Sequence, residues 1–393
     1  MNPLIVAILL IGAVPPFQAQ TLDGRSVAGT LTALSAERAT IATNKGPVEI
    51  PVEKLLFLTA KRPPRDGGAG ITIELSDGSV VRAKQYTMTT KEARITLGNG
   101  ACVVAPADAI RMVRLQQGRA AASAEWDRLT ATKADSDMLI VLSGDAVDYH
   151  KGVLGEVTDE VVHFSLEGES LPVKRAKLLG FVRHQAKEME ASAAVCRISD
   201  ASGSKWAART IRLGKELQWT TPAGLTVSAP LEAIVEIDFS KGKLAYLSDL
   251  KPERVLWTPY FGGRQVPPAL QDFYGPRFDR GFQTADLRLA GHEYSKGLAL
   301  HSRTELVYRL PERYARLKAT VGIDDAARPR GKVRLVIRGD DRVLFDAMLS
   351  GTEPARELDI DLTDVRRVTI LADFGATPPV DDLLLLCEAR VLK

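Results

Sequence analysis

Short stretches in which apolar and polar residues alternate recur throughout residues 20–250, and turns containing glycine separate them. Alternation with a period of two is typical of β-strands that bury one face. Asp23-Gly24 and Asp77-Gly78 lie between two such stretches, where Asp-Gly is a strong signal for a tight hairpin. The pattern therefore predicts a chain of short antiparallel strands.

The alternating stretches form a repeat. A proline followed by a short turn and two aliphatic residues occurs at Pro51, Pro106, Pro172 and Pro230. The predicted boundaries are 20–60 for β-unit 1, 70–116 for β-unit 2, 137–184 for β-unit 3 and 193–250 for β-unit 4. Self-similar segments indicate a repeat architecture. About five short strands per unit is the size of a small barrel, so we predict tandem SH3-like or Sm-like β-barrel units.

Residues 117–136 depart from this alternation. Ala122, Trp126 and Leu129 have the spacing i, i+4, i+7, which places side chains on one face of a helix. We predict a helical connector over these residues, with Trp126 as its anchor against a neighbouring unit.

The sequence changes in character after Leu250. Residues 251–286 are rich in proline and aromatic residues, and alternating stretches return in close succession from Leu287. Eight such stretches joined by turns indicate a sandwich of antiparallel sheets, a jelly roll. We therefore expect an all-β chain with one helix of note, in which residues 251–393 form the jelly-roll domain.

Three motifs in this last region are distinctive: Tyr294–Ser302 with Lys-Gly-Leu and a histidine, Leu306–Leu310, and Val321–Asp325 with Gly-Ile-Asp-Asp. With them, residues 287–393 resemble the NPCBM carbohydrate-binding modules that are found beside family-98 glycoside hydrolases. The resemblance implies a galactose-binding-like jelly-roll β-sandwich that holds sugar at loops on one end. The closing segment of that family carries Asp-His-x-x-Trp, whereas residues 381–387 read Asp-Asp-Leu-Leu-Leu-Leu-Cys and lack both the histidine and the tryptophan.

The ligand-binding residues that we predict lie in turns or at strand ends of this module: Glu293, Tyr294, His301, Asp324, Asp325 and Asp382. We expect the ligand at the sandwich end formed by the 293–294 turn, the 324–325 turn and the loop 378–382. These loops concentrate hydrogen-bond acceptors on a rigid scaffold, where binding side chains are commonly placed.

Each candidate has a structural alternative. The Asp324–Asp325 turn binds a sugar hydroxyl, holds a structural calcium ion through its carboxylate oxygens, or simply bonds nearby backbone N–H groups. His301 is a donor to a sugar or a half-buried cap of the sheet. Trp257, Tyr260 and Tyr274 form a stacking platform or a cover packed on the sandwich.

The N-terminus carries an unbroken apolar run from Leu4 to Val14, followed by two prolines. The run is shorter than the roughly 20 residues of a membrane-spanning helix and fits the core of a secretory signal. We predict a signal peptide at residues 1–19, an exported protein (periplasmic, cell-envelope or secreted) and no transmembrane span after signal removal. A buried first strand or an uncleaved anchor is the alternative.

Charge and cysteine content narrow the choice of partners. With 52 basic and 49 acidic residues the net charge is +3, so the chain lacks the single-sign field that nucleic acid binding needs. Cys102, Cys196 and Cys387 have neither the spacing of a zinc site nor that of a disulfide framework. Either Cys102 pairs with Cys196 or all three are buried thiols.

The sequence contains no nucleophile elbow, no His-Glu-x-x-His and no glycine-rich phosphate loop. We therefore expect a non-catalytic protein, with no certain cofactor, that binds a carbohydrate or cell-envelope glycan through its C-terminal module. One alternative is a structural or interaction protein with an inert jelly roll, whose partners are other envelope proteins. A less favoured alternative is a cryptic hydrolase.

Overall fold

The computed structural model describes residues 16–61, 70–117, 120–131, 135–144, 146–184, 194–260, 267–283, 286–375 and 381–393. Most of the predicted signal peptide (residues 1–15) and part of the predicted site loop (residues 376–380) lie outside these ranges. The chain divides into two units, Met1–Ser240 and Lys241–Lys393. Of the helices that the structure describes, none has the length and apolar character needed to cross a bilayer.

The first unit repeats one order of elements. β-Unit 1 contains β1 (Phe17–Thr21), β2 (Ser26–Leu34), β3 (Arg38–Thr43), β4 (Gly46–Pro51) and β5 (Leu55–Ala60). β-Unit 2 contains β6 (Ile71–Leu75), β7 (Val80–Met88), β8 (Glu92–Leu97), β9 (Cys102–Pro106) and β10 (Ile110–Arg114), and helix α1 (Ala120–Thr130) follows it. β-Unit 3 contains β11 (Asp137–Ser143), β12 (Ala146–Val157), β13 (Val161–Leu166), β14 (Glu169–Lys174) and β15 (Leu178–Val182). β-Unit 4 contains β16 (Cys196–Asp200), β17 (Lys205–Ala208), β18 (Thr210–Leu213), β19 (Leu217–Thr220), β20 (Thr226–Ala229) and β21 (Ile234–Asp238).

The four units share a pattern of strand pairing. In each, the first strand pairs antiparallel with the second and with the last, as β1 does with β2 and β5. In β-unit 4 the long second strand is divided into β17 and β18. The last strands also join units, because β5 pairs with β21 and β10 pairs with β15. The SH3-like or Sm-like form of each unit stays a prediction.

The recurrent proline precedes a single 3-10 turn that leads into the last strand. Pro51, Pro106 and Pro230 occupy this position with φ of −60°, −55° and −63°, close to the value that the pyrrolidine ring imposes. In β-unit 3 the position belongs to Lys174, with φ of −61°, whereas Pro172 lies within β14. Matching Pro172 to the other prolines was therefore wrong by two residues, because the backbone conformation does not require proline.

Helix α1 packs through Trp126, as its spacing predicted. Trp126 and Ala122 form a small core with Ile140 and Leu179. The ring lies over Gly180 of β15, where an added Cβ would be 2.7 Å from a ring carbon. The absence of a side chain at this glycine thus makes room for the helix.

In the described part of the second unit there are thirteen strands and one α-helix. Its strands are β22 (Leu244–Tyr246), β23 (Arg254–Trp257), β24 (Arg277–Phe278), β25 (Leu287–Leu289), β26 (His292–Tyr294), β27 (Gly297–His301), β28 (Thr304–Arg309), β29 (Arg316–Ile323), β30 (Lys332–Gly339), β31 (Arg342–Ser350), β32 (Arg356–Asp361), β33 (Arg367–Phe374) and β34 (Leu383–Leu392). Helix α2 spans Pro268–Tyr274. Strands β27 to β34 are the eight predicted from alternation, so the all-β jelly roll is confirmed.

Two sheets form the sandwich. One has the order β24-β27-β34-β29-β32, with β22 also on β34, and the other has the order β23-β28-β33-β30-β31. Strands β22 and β23 were not expected here. Residues 244–246 had been placed in β-unit 4, but their backbone pairs with β34.

The run of leucines in β34 is buried on both faces. Leu384 and Leu386 lie in the core between the sheets, whereas Leu385 and Cys387 pack under the β25–β26 hairpin. A strand covered on both sides loses polar alternation, which explains this segment. Glu293 and Tyr294, expected in a turn, belong to β26, and the hairpin turn lies at Ala290-Gly291.

Candidate functional site

One end of the sandwich is organised around the buried carboxylate of Asp382, which is 4% exposed. The hydroxyl of Ser302 donates to Oδ2 at 3.0 Å, and the backbone N–H of Lys332 donates to Oδ1 at 3.0 Å. Burial raises the pKa of Asp382, and these hydrogen bonds oppose that shift. Asp382 thereby fastens the β27–β28 turn to the start of β30.

Asp324 lies beside it, because its backbone N–H donates to the carbonyl of Leu383 at 3.0 Å. Its side chain is 2% exposed and accepts from the backbone N–H of Ala326 at 2.9 Å. Burial raises the pKa of this carboxyl group as well. Asp324 caps the short 3-10 turn that follows β29.

Asp325 holds the β25–β26 hairpin. Its two carboxylate oxygens accept from the backbone N–H groups of Ala290 and Gly291, both at 2.8 Å. On the hairpin itself, Glu293 is exposed and forms an ion pair with Arg288. Tyr294 is half-buried against the small core under the hairpin, and burial raises its pKa.

The carboxylate oxygens of Asp324 and Asp325, which the sequence suggested as calcium ligands, thus accept backbone hydrogen bonds. In the described part of the chain, no group of three or more His, Cys, Asp and Glu side chains is arranged to hold a metal ion. Cys102 is exposed, so the interpretation of three buried thiols is wrong for this residue, while Cys196 and Cys387 are buried.

His301 lies among aromatic rings at the same end. Its ring centroid is 4.2 Å from that of Phe282 and 5.0 Å from that of Tyr274, both in edge-to-face geometry. Burial and the nearby Arg277 guanidinium lower the pKa of His301 from 6.5 to about 4. The imidazole is therefore neutral at pH 7.

Trp257 completes this group. Its ring stacks on Tyr274 with centroids 4.9 Å apart and planes inclined by 9°, and its Nε1–H donates to the carbonyl of Ser302 at 3.3 Å. We call Trp257, Tyr274, Phe282 and His301 the aromatic layer. Because these rings pack on one another, the geometry favours the interpretation of Trp257 and Tyr274 as a cover on the sandwich.

Two further rings are exposed to solvent at this end of the sandwich. Phe273 is 62% exposed and meets Tyr274 edge to face at 4.9 Å. Tyr260 is 44% exposed and meets Phe374 edge to face at 5.0 Å. Sequence reasoning missed Phe273. The sequence did contain a signal for it: two consecutive prolines, 267 and 268, mark the start of helix α2, and Phe273 lies in the last turn of that helix.

Hydrogen-bonding groups lie next to these rings. Arg303 forms an ion pair with Asp373 at 3.4 Å, and both side chains retain contact with solvent. The carbonyl of Arg303 accepts from the N–H of Thr258, one residue after Trp257. Asp373 directly precedes Phe374, against which Tyr260 packs. The end of the sandwich therefore combines exposed rings with charged donors and acceptors.

These features define a jelly-roll β-sandwich module, one end of which combines aromatic rings with charged donors and acceptors. Residues 245–392 match the NPCBM/NEW2 domain family, so the C-terminal region of the chain carries an NPCBM/NEW2 domain. No curated protein shows significant similarity to the chain.

Three solved structures illustrate the structural comparisons. The CBM51 module from Clostridium perfringens GH95 in complex with methyl-galactose is 17% identical, with 38% of this chain and 99% of that chain covered and a TM-score of 0.32. The CBM51-2 and INT domains of Clostridium perfringens ZmpB are 18% identical. The match covers 47% of this chain and 37% of that chain, with a TM-score of 0.32. The tandem CBM51 modules of a family 98 glycoside hydrolase from Streptococcus pneumoniae are 14% identical. The match covers 65% of this chain and 88% of that chain, with a TM-score of 0.31.

The contacts of Asp382 predict a stability effect. Asp382→Ala leaves the buried hydroxyl of Ser302 and the partly buried N–H of Lys332 without their acceptor, which costs about 1–3 kcal/mol. Denaturant unfolding measures the loss. Asp341→Ala, at an exposed position in the β30–β31 turn, is the matched control and should unfold like the parent. An Asp382→Ala variant as stable as its control contradicts the structural role.

The lowered pKa of His301 predicts a pH dependence. Between pH 6.5 and about 4 the unfolded chain binds a proton that the folded chain rejects, so stability is complete above pH 6.5 and falls as the pH is lowered. The difference between the pKa of His301 in the unfolded and in the folded chain corresponds to at most about 3 kcal/mol of folding stability. The free energy of unfolding is measured as a function of pH for the parent and for His301→Gln. The difference between the two curves should isolate this loss. The exposed His292→Gln is the control; identical profiles for parent and His301→Gln would refute the prediction.

Proposed function

We propose that the chain is an exported, non-catalytic protein that binds a glycan through the end of its C-terminal module. The observation that carries the proposal is the pair of exposed rings, Phe273 and Tyr260, at the aromatic end of an NPCBM/NEW2 domain. Aromatic faces supply the apolar surface on which the C–H face of a pyranose ring stacks. The ligand class is accordingly a neutral sugar with one exposed apolar face.

In this proposal the Arg303–Asp373 pair supplies hydrogen bonds to the sugar hydroxyls. The pair offers both donors and acceptors, and hydrogen bonds that involve a charged group are stronger than neutral ones. Because the two side chains are already paired and partly solvated, they can exchange a water molecule for a hydroxyl group without exposing a bare charge.

His301 and Asp382 act through the structure that they hold. His301 packs against Tyr274, and Asp382 bonds Ser302, whose carbonyl accepts from Trp257. Each therefore positions a ring of the aromatic layer. The carboxylates of Asp324 and Asp382 already accept backbone hydrogen bonds, which favours a structural role for both residues over general acid–base chemistry.

Export is supported by the sequence. The apolar run from Leu4 to Val14 has the length of a signal-peptide core. Extracellular and envelope glycans are accessible only to an exported protein, so the two parts of the proposal agree.

A glycan array probed with the full chain tests the function. We expect binding to at least one neutral glycan, and about tenfold weaker binding for Phe273→Ala and for Tyr260→Ala, since an aromatic contact and its buried area together contribute on the order of 1.4 kcal/mol. Both side chains are exposed, so the melting temperature should change little.

Leu270→Ala is the matched control, because Leu270 is an exposed apolar residue on the same helix α2 and lacks a ring. It should retain full binding. Folded protein that binds no glycan would overturn the proposal and favour an inert sandwich, and equal losses for Leu270→Ala and Phe273→Ala would show that the rings are not the contact.

A further inference from the structure

The opposite end of the sandwich contains a cavity of about 430 Å³. Strand β28 runs from Thr304, next to Trp257, to Arg309, which lines this cavity. Four of the residues that line the cavity are arginines: Arg309, Arg313, Arg366 and Arg367. We call these residues the arginine pocket. None of them belongs to the aromatic layer or to the loops around it.

Two of the arginines face each other across a strand pair. Arg309 at the end of β28 is directly opposite Arg367 at the start of β33. Like charges in this position destabilise a sheet. Glu253 reduces this repulsion, because its carboxylate forms an ion pair with Arg367 at 2.9 Å and also attracts Arg309 without touching it.

The two acidic residues that line the cavity, Asp340 and Glu312, have other partners. Both carboxylate oxygens of Asp340 accept backbone N–H groups, from Arg366 at 3.2 Å and from Arg367 at 3.0 Å. Glu312 forms an ion pair with Lys393. The acidic side chains at the rim therefore stabilise the backbone and the C-terminus.

Three guanidinium groups of the arginine pocket remain without a direct partner. Among the residues that the structure describes, the side chains of Arg309, Arg313 and Arg366 have no ion-pair or hydrogen-bond partner. Their charges converge on one concave surface, where the field of several like charges adds up. A guanidinium presents a planar fork of donors that matches an oxyanion with two oxygens.

We propose that the arginine pocket binds the oxyanion of an acidic sugar, a carboxylate or a sulfate ester. The cavity is within the size range of small-ligand pockets and accommodates a single charged sugar. The balanced net charge of the chain argues against a long polyanion held by a general field. This second site stands apart from the aromatic end and does not depend on it.

Calorimetric titration of the full chain tests the site with three probes: a galacturonate trisaccharide, galactose 6-sulfate and inorganic sulfate. We expect at least one acidic sugar to bind, with an affinity that falls as sodium chloride screens the charges. The double variant Arg313→Gln/Arg366→Gln should bind about tenfold more weakly or worse, as the loss of charged hydrogen bonds requires. Arg356→Gln, at an exposed arginine outside the pocket, should bind like the parent.

Phe273→Ala should keep its affinity for the acidic sugar, which separates this site from the aromatic end. Unchanged binding by the double variant, or binding of no acidic sugar, would overturn the proposal. Inorganic sulfate that binds as tightly as either sugar would mean an adventitious ion only. A lower melting temperature for Arg313→Gln/Arg366→Gln would show a structural role instead, since removing unpaired like charges should not destabilise the fold.

Discussion

The C-terminal module depends on how it satisfies backbone N–H groups where its two sheets end. A backbone N–H group that is buried without a partner costs about 1–3 kcal/mol; those of Lys332 and Ala326 are partly buried, whereas those of the 290–291 turn are exposed. Asp382 supplies an acceptor for Lys332, Asp324 for Ala326, and Asp325 for the hairpin turn at residues 290–291. Three carboxylates thus fix three loops at one end of the sandwich. The rings that pack beside them are held in place as a consequence, and in the proposed function the exposed ones contact the ligand.

The β-units also contain an aspartate whose carboxylate accepts backbone N–H groups. Asp77 in the β6–β7 turn is buried and accepts from the N–H of Ser79 in its own turn and of Ala223 in β-unit 4, both at 2.9 Å. Ser79 and Ser204 add contacts between the same two units. A turn residue that satisfies its own hairpin therefore also joins distant repeats. This dual use explains why the polar turn residues Asp77, Ser79 and Ser204 are buried.

The sequence predicted features that depend on near neighbours. Strands β27 to β34 follow from local alternation, and the packing of Trp126 follows from helical spacing. Features that depend on contacts between distant residues were not predictable. Asp382 is 50 residues from Lys332, so nothing near it in sequence shows that its carboxylate is already used. The pairing of β22 with β34 and the exposure of Phe273 likewise arise only after folding.

Tryptophan emission measures the central claim most directly. Trp126, Trp206 and Trp219 are buried in the first unit, whereas Trp257 is half-buried at the aromatic end. Titration of the full chain with the strongest neutral glycan from the array should shift the emission with the affinity found on the array. The same titration of Trp257→Phe should give no shift. Binding that leaves the emission of the parent unchanged, or a shift that persists in Trp257→Phe, would contradict a glycan site at this end of the sandwich.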